Sequence, residues 1–198
     1  MSKLLVIDTE TGGLDPQTHS ILSLAGVVWD NGRLTDSVEV LIAEPNIVVT
    51  PEAMRVNRIN LDQHRRHALA PQEALNRFMV FLEQHFGPRP FKPKIDLVGH
   101  NTHFDIAFVN RLFRFTNLQF EDMFSHRVLD TASIARFFIL ANKISISSAA
   151  SSEAFRYFGI EVPEEKRHTA LGDAIATAEL FTKLLDLAKT CDVKEITH

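Results

Sequence analysis

The chain of 198 residues contains one cysteine, Cys191. A single thiol cannot close an internal disulfide, so the fold does not rest on bridges, and a reducing compartment is expected. Cys191 itself reads as a small buried or edge residue. No apolar run approaches the roughly 20 residues that cross a bilayer. The opening MSKLLVID is broken at Asp8, too early for the core of a secretory signal. The expectation is a cytoplasmic protein with no membrane association. Net charge is scarce too, at −4, which argues against a strongly basic surface that coats nucleic acid. It still allows a nucleic-acid enzyme, because bound metal can supply the local positive charge. No internal repeat and no long linker divides the sequence, so one domain over residues 1–198 is expected. At 45% hydrophobic residues, a chain of this length can bury a real core.

What is present begins with strands. Residues 3–8 read as a strand around the apolar run Leu4–Ile7, and residues 21–29 as a second, apolar strand. Asn31-Gly32 then separates that run from residues 33–42, the strongest short hairpin signal because both turn residues tolerate positive φ. An antiparallel meander is predicted. In "TPEAMRVN", Thr50 is a candidate N-cap and Pro51 the first helical residue. His64, Arg65, Arg66 and His67 form a basic cluster that reads as a solvated face, with a phosphate contact as the alternative. Helices are predicted over 72–85, 102–115 and, starting near Asp130, within 127–138; a strand is predicted over 95–98. From Thr169 on, Leu171, Ala174, Ala178, Phe181, Leu185 and Ala188 form one helical stripe. Three antiparallel strands followed by strand–helix units predict an α/β fold, a mixed sheet with helices on its faces.

Two acids interrupt this pattern at the end of the first strand. Successive strand side chains alternate faces, so Asp8 and Glu10 share one. Two carboxylates about 4 Å apart repel by several kcal/mol at an effective dielectric near 20, so something cationic should compensate. Alone, the stretch reads equally well as a strand that has ended, with Gly12-Gly13 as its turn. Asp105 falls in the first turn of a helix, where the helix dipole favours any acid. It also follows a strand end, where ligands gather in open α/β sheets. Asp173 lies beside the core position Ala174, and a buried acid without a partner is costly. His168 precedes it by five residues, about 500° of helical rotation, so it belongs to the loop before the helix. Four oxygen donors suit two hard divalent ions, Mg²⁺ or Mn²⁺, rather than zinc. Ion pairs of this kind, about 3.5–4 Å apart, serve in-line phosphoryl displacement. A free imidazole titrates near about 6.5, so His168 would be largely neutral at working pH and able to take a proton from water.

The segments D8-T-E10-T-G12, H100-N-T-H-F104-D105 and H168-T-A-L-G-D173 together resemble the three exonuclease motifs of the DEDD superfamily. The histidine at 168 is that of its DnaQ-like branch, which includes the proofreading epsilon subunit of bacterial DNA polymerase III, RNase T and oligoribonuclease. The resemblance covers about residues 4–186. It implies an RNase H-like fold with a central five-stranded mixed sheet. Asp8, Glu10, Asp105 and Asp173 would hold two divalent ions, and His168 would be the general base of 3′-to-5′ hydrolysis releasing nucleoside 5′-monophosphates. Thr9, Thr11 and Gly12 would lie near the terminal nucleotide, with Asn101 and Phe104 flanking it. Leu14, Glu52, Val56 and Phe104 match positions that hold the terminal bases in RNase T-like enzymes. Leu14 and Val56 replace aromatic wedges there, and Arg58 stands where glycine is usual. The implied partner is a single strand or 3′ overhang of DNA or RNA. By analogy the chain would also form a homodimer, with Arg65 and Arg66 reaching a second active site, or meet a polymerase or repair partner. The competing class is a non-catalytic module of the same fold that binds strand ends.

Overall fold

The computed structural model describes residues 3–163 and 166–190; Cys191 lies outside them. Strands β1 (Lys3–Thr11), β2 (Ile21–Asp30) and β3 (Arg33–Leu41) form the expected meander. Asn31 and Gly32 both have positive φ, 51° and 87°, and join Asp30 to Arg33 across the hairpin. Helices α1 (Pro51–Asn57), α2 (Leu61–His67) and α3 (Pro71–Phe86) follow. The Thr50 hydroxyl caps α1 by accepting from the Ala53 N–H at 3.1 Å. Strand β4 (Ile95–Gly99) then pairs parallel with β1 through Leu5–Leu97 and Val6–Val98. The chain continues through α4 (Thr102–Phe113), α5 (Phe120–Met123), β5 (Phe124–Asp130), α6 (Thr131–Leu140), α7 (Ser151–Tyr157) and α8 (Ala170–Lys189). The sheet order is β3-β2-β1-β4-β5, a mixed five-stranded sheet flanked by helices.

Three local expectations need correction. Residues 127–130 belong to β5, an edge strand whose side chains are mostly exposed, so it lacks an apolar run to announce it. Asp130 ends that strand and caps α6, its carboxylate accepting from Ala132 N–H. The basic cluster is a solvated face only at Arg65, Arg66 and His67; His64 is buried, with Nε2 2.9 Å from the Ile42 carbonyl oxygen. Strand β1 also runs past Asp8 to Thr11, so both of its acids are strand residues.

The pleat of β1 decides what meets what. Leu4 and Val6 pack with Ala170, Ala174, Ala178 and Phe181 of α8. Leu5 and Ile7 pack on the opposite face, with residues of α3 and α4 such as Phe78 and Phe108. By the same alternation Asp8 and Glu10 face α8, whereas Thr9 and Thr11 face the α4 side. Two features hold the segments around the strand end. Arg111 on α4 donates from Nε and Nη2 to the buried Glu44 carboxylate at 2.7 and 2.6 Å. Its Nη1 reaches the Pro16 and Gln17 carbonyls, and Glu44 also accepts from the Ser20 hydroxyl and Ile21 N–H. Arg111 thus ties α4 to the segment after β3 through the ion pair and to the loop after β1 through these carbonyls. At the start of α8, Gly172 lies under the preceding turn: a Cβ there would stand 1.9 Å from the Lys166 carbonyl oxygen.

Gly172→Ala, which in an ordinary helix interior would stabilise by about 1 kcal/mol, should here destabilise by about 1–3 kcal/mol through overpacking. Urea unfolding gives the sign directly. Arg111→Met strands a buried carboxylate and should cost about 3–5 kcal/mol, with part recovered when Glu44→Gln is added. A double-variant cycle reads this recovery, and its absence would mean that Arg111 acts through packing alone.

Candidate active site

Asp8, Glu10 and Asp173 bring one carboxylate oxygen each to within 4.8 Å of one another. Two come from the α8-facing side of β1 and the third from the first turn of α8 itself. Among the described residues no lysine or arginine forms an ion pair with any of the three, or with Asp105. Asp105 stands in the first turn of α4, on the other face of the sheet, and lies outside the group of three. It is buried against the strand end, where the Thr9 hydroxyl donates to its carboxylate at 2.8 Å. Strand β4 stops pairing with β1 at Val6, which leaves Thr9 open to this contact. Asp105 nonetheless acts on the cluster: after burial, its charge is the largest influence raising the Asp8 carboxyl.

The electrostatics show the lack of an internal counter-charge. Burial first, then the charges of Asp173, Glu39 and Asp105, push Glu10 up to about 8. Burial pushes Asp105 up to about 7 despite the hydrogen bonds from Thr9. Burial raises Asp8 well above the usual carboxylate range, and Asp173 is raised by burial against the pull of His168 and Arg167. Hard oxygen donors, close together and uncompensated, fit a divalent cation.

His168 lies in the turn before α8, half-buried, with φ +60°. Its backbone N–H bonds to the Asp173 carboxylate, which joins the histidine to the acid cluster. The close approach allowed by Gly172 shapes this turn. His168 lines a cleft on one side of Glu10, together with Glu39, Arg58, His67 and Arg167.

A second cleft opens on the other side of Glu10. Thr9, Thr11, Leu14, Glu52, Val56 and Phe104, six of the residues expected to contact a nucleotide, line it. Leu14 and Val56 are 83% and 60% exposed, an apolar rim without aromatic rings. The Glu52 carboxylate accepts from Arg55 at 2.7 Å. Both threonine hydroxyls already donate within the chain, Thr9 to Asp105 and Thr11 to the Gly13 carbonyl. Two expected residues lie elsewhere. Gly12 permits a close approach, but to the chain's own segment: a Cβ there would meet the Val48 carbonyl oxygen at 2.2 Å. Asn101 is exposed, with a left-handed φ of 60°, and accepts nothing into the cleft; its N–H donates to Asp130.

Sequence reading missed three residues. Glu39 is a further carboxylate in a row across the sheet, Asp8 opposite Ala25 and Ala25 opposite Glu39. It accepts from the Leu171 N–H and so anchors the start of α8. Only strand pairing reveals that row. Asn57 is buried between the two clefts and donates to the Thr11 carbonyl at 3.1 Å. The ring of His19 fills the space beside Gly13 and lines the second cleft.

A ribonuclease T from Shewanella denitrificans is 28% identical over 188 residues, covering 92% of this chain and 80% of its own. A DNA polymerase III subunit epsilon-like protein from Rhodobacter capsulatus is 33% identical over 93% of this chain, which spans 24% of that protein. In fold, the chain resembles E. coli exonuclease I in complex with a dT13 oligonucleotide, with a TM-score of 0.77, 17% identity and coverage of 96% of this chain and 44% of that one. It also resembles exonuclease X in complex with 5′ overhanging duplex DNA, at TM-score 0.60 and 20% identity, covering 95% of this chain and 94% of that one. The RNase T exonuclease family model matches residues 5–181. Since that span takes in all three acid-bearing segments and most of the sequence, the chain belongs to the RNase T family of exonucleases.

Proposed function

We propose that this chain is a metal-dependent exonuclease that hydrolyses phosphodiester bonds from the 3′ end of a DNA or RNA strand and releases nucleoside 5′-monophosphates. The observation that carries this reading is the convergence of Asp8, Glu10 and Asp173 within 4.8 Å, with Asp105 beside them. A single strand or 3′ overhang is the proposed substrate; the similar exonuclease I was solved with an oligonucleotide.

Asp8, Glu10, Asp105 and Asp173 would hold divalent cations, Mg²⁺ or Mn²⁺. Such ions supply a water activated for attack and charge to stabilise the leaving oxygen. His168 is the proposed general base: it borders Glu10 from the neighbouring cleft and its backbone is tied to Asp173. The terminal nucleotide would enter the second cleft, with its base against Leu14, Val56 and Phe104. The phenyl ring of Phe104 is braced by Phe108 at 5.0 Å between centroids, so it offers a fixed face. Phosphate contacts fix register without reading sequence, so little sequence preference is expected.

The acid cluster makes stability depend on metal and pH together. In the metal-free fold Glu10 keeps its proton up to about 8, against an ordinary value of 4.5. The folded state therefore holds more protons between those values, and its stability falls as pH rises through them. A bound cation displaces the protons. The melting-temperature gap between Mg²⁺ and EDTA should thus widen from about pH 5 to about pH 8. A gap constant with pH would put the ion at some other site.

Asp173→Asn should lower kcat on a 3′-terminal single strand by at least the ~10–100-fold typical of disturbing a metal shell. His168→Ala should lower kcat by about 10²–10⁴-fold while leaving the Mg²⁺ midpoint of the thermal shift near wild type. If both variants and wild type bind the strand and none releases mononucleotides, the chain is a binding module.

A further inference from the structure

Among the described residues five non-glycine residues have positive φ: Asn31, Arg58, Asn101, Asn142 and His168. Three are asparagine, the residue that tolerates this conformation best after glycine. The other two, Arg58 and His168, line the same cleft beside Glu10. Strained backbone kept at one site points to a role for the side chains it carries.

Arg58 caps the C-terminus of α1 at φ 55° and ψ 21°, where glycine would fit without a Cβ clash. Its backbone N–H bonds to the Met54 carbonyl at 3.1 Å, a contact any residue with an N–H can make. The side chain adds nothing to the fold. It is exposed, and among the described residues its guanidinium makes no hydrogen bond and no ion pair. Arg167 lines the same cleft, so two guanidinium groups share it with the carboxylates of Glu10 and Glu39. An anion bound there gains a cation that is not already paired, and a guanidinium fork matches phosphate oxygens better than any other side chain.

We propose that Arg58 is a phosphate-binding residue of the substrate cleft, retained at a strained position because its guanidinium contacts a phosphate group of the cleaved strand. The proposal rests on the exonuclease reading and assigns that reading a contact outside the acid cluster and the terminal-nucleotide cleft. The phosphate is either a diester of the bound strand or the monoester of the released nucleotide, and the two are separable.

The test compares wild type with Arg58→Gly, Arg58→Asn and Arg58→Lys in steady-state digestion of matched DNA and RNA oligonucleotides over a range of salt. Glycine and asparagine both suit the backbone, so melting temperatures should equal or exceed wild type. KM should rise about tenfold with kcat nearly unchanged, as removal of uniform binding requires. The slope of log(kcat/KM) against log[salt] should become shallower by about 0.7, the loss of one phosphate contact on a single strand. Arg58→Lys should recover most of that slope. Inhibition by nucleoside 5′-monophosphate distinguishes the sources: weaker inhibition of Arg58→Gly assigns the contact to the released phosphate, and unchanged inhibition to the strand. Unchanged KM and salt slope in both Arg58→Gly and Arg58→Asn would overturn the proposal while leaving the exonuclease reading intact. A wild-type protein that neither binds nor cuts the strands would sink the exonuclease reading itself.

Discussion

Acids crowded at one strand end, partly withdrawn from water and lacking an internal ion-pair partner, are the constraint around which this molecule is built. Asp8, Glu10 and Asp173 crowd into one group, Asp105 adds its charge to Asp8, and Glu39 adds its own to Glu10. No lysine or arginine among the described residues pairs with the central four. Without a cation such a cluster keeps protons, as Glu10 does up to about 8, and its close-set oxygen donors fit the divalent ions proposed above. Arg167 and His168 act on Asp173 but do not cancel the effect of burial.

The frame that enforces this crowding is regular, whereas the backbone that shapes the site is not. Hydrophobic alternation on β1 sends Leu4 and Val6 to α8 and Leu5 and Ile7 to the opposite layer. The same alternation carries the two acids to α8 and Thr9 to Asp105. Around that frame the chain departs from regular geometry wherever the site needs it. The β1–β2 register shifts between Glu10 and Thr11, a bulge that re-aims the strand end. Gly12 and Gly172 admit carbonyl oxygens where a side chain would collide. Arg58 and His168 hold left-handed backbone. Each departure costs stability, and the core and the buried Arg111–Glu44 pair offset it.

The two clefts on either side of Glu10 divide the chemistry. One is apolar at its rim through Leu14, Val56 and Phe104, and suits a base and sugar. The other carries His168, Arg58 and Arg167, and suits proton transfer and phosphate. Asn57, buried and bonded to the Thr11 carbonyl, stands where they meet.

By itself the sequence determined the meander, the parallel unit and the three acid-bearing segments. These are written in local terms: the alternation of β1, Asn31-Gly32 in the turn, Thr50 and Pro51 at a helix start, and the stripe of α8. Asp8, Glu10 and Asp173 stood out because an acid in an apolar pattern violates a local rule, whereas Asp105, which a helix N-terminus favours anyway, joined them through its place past a strand end and the motif resemblance. Tertiary structure alone decided the rest. Strand β5 is an edge strand with exposed side chains, so nothing in its composition marks it. Glu39 joins the cluster through Ala25, two strands across, and pairing register is not a property of either strand alone. Gly12 packs closely on Val48 and His64 turns inward, because each depends on which distant atoms occupy the space beside it. Periodicity reports which face a residue takes; only packing reports what it finds there.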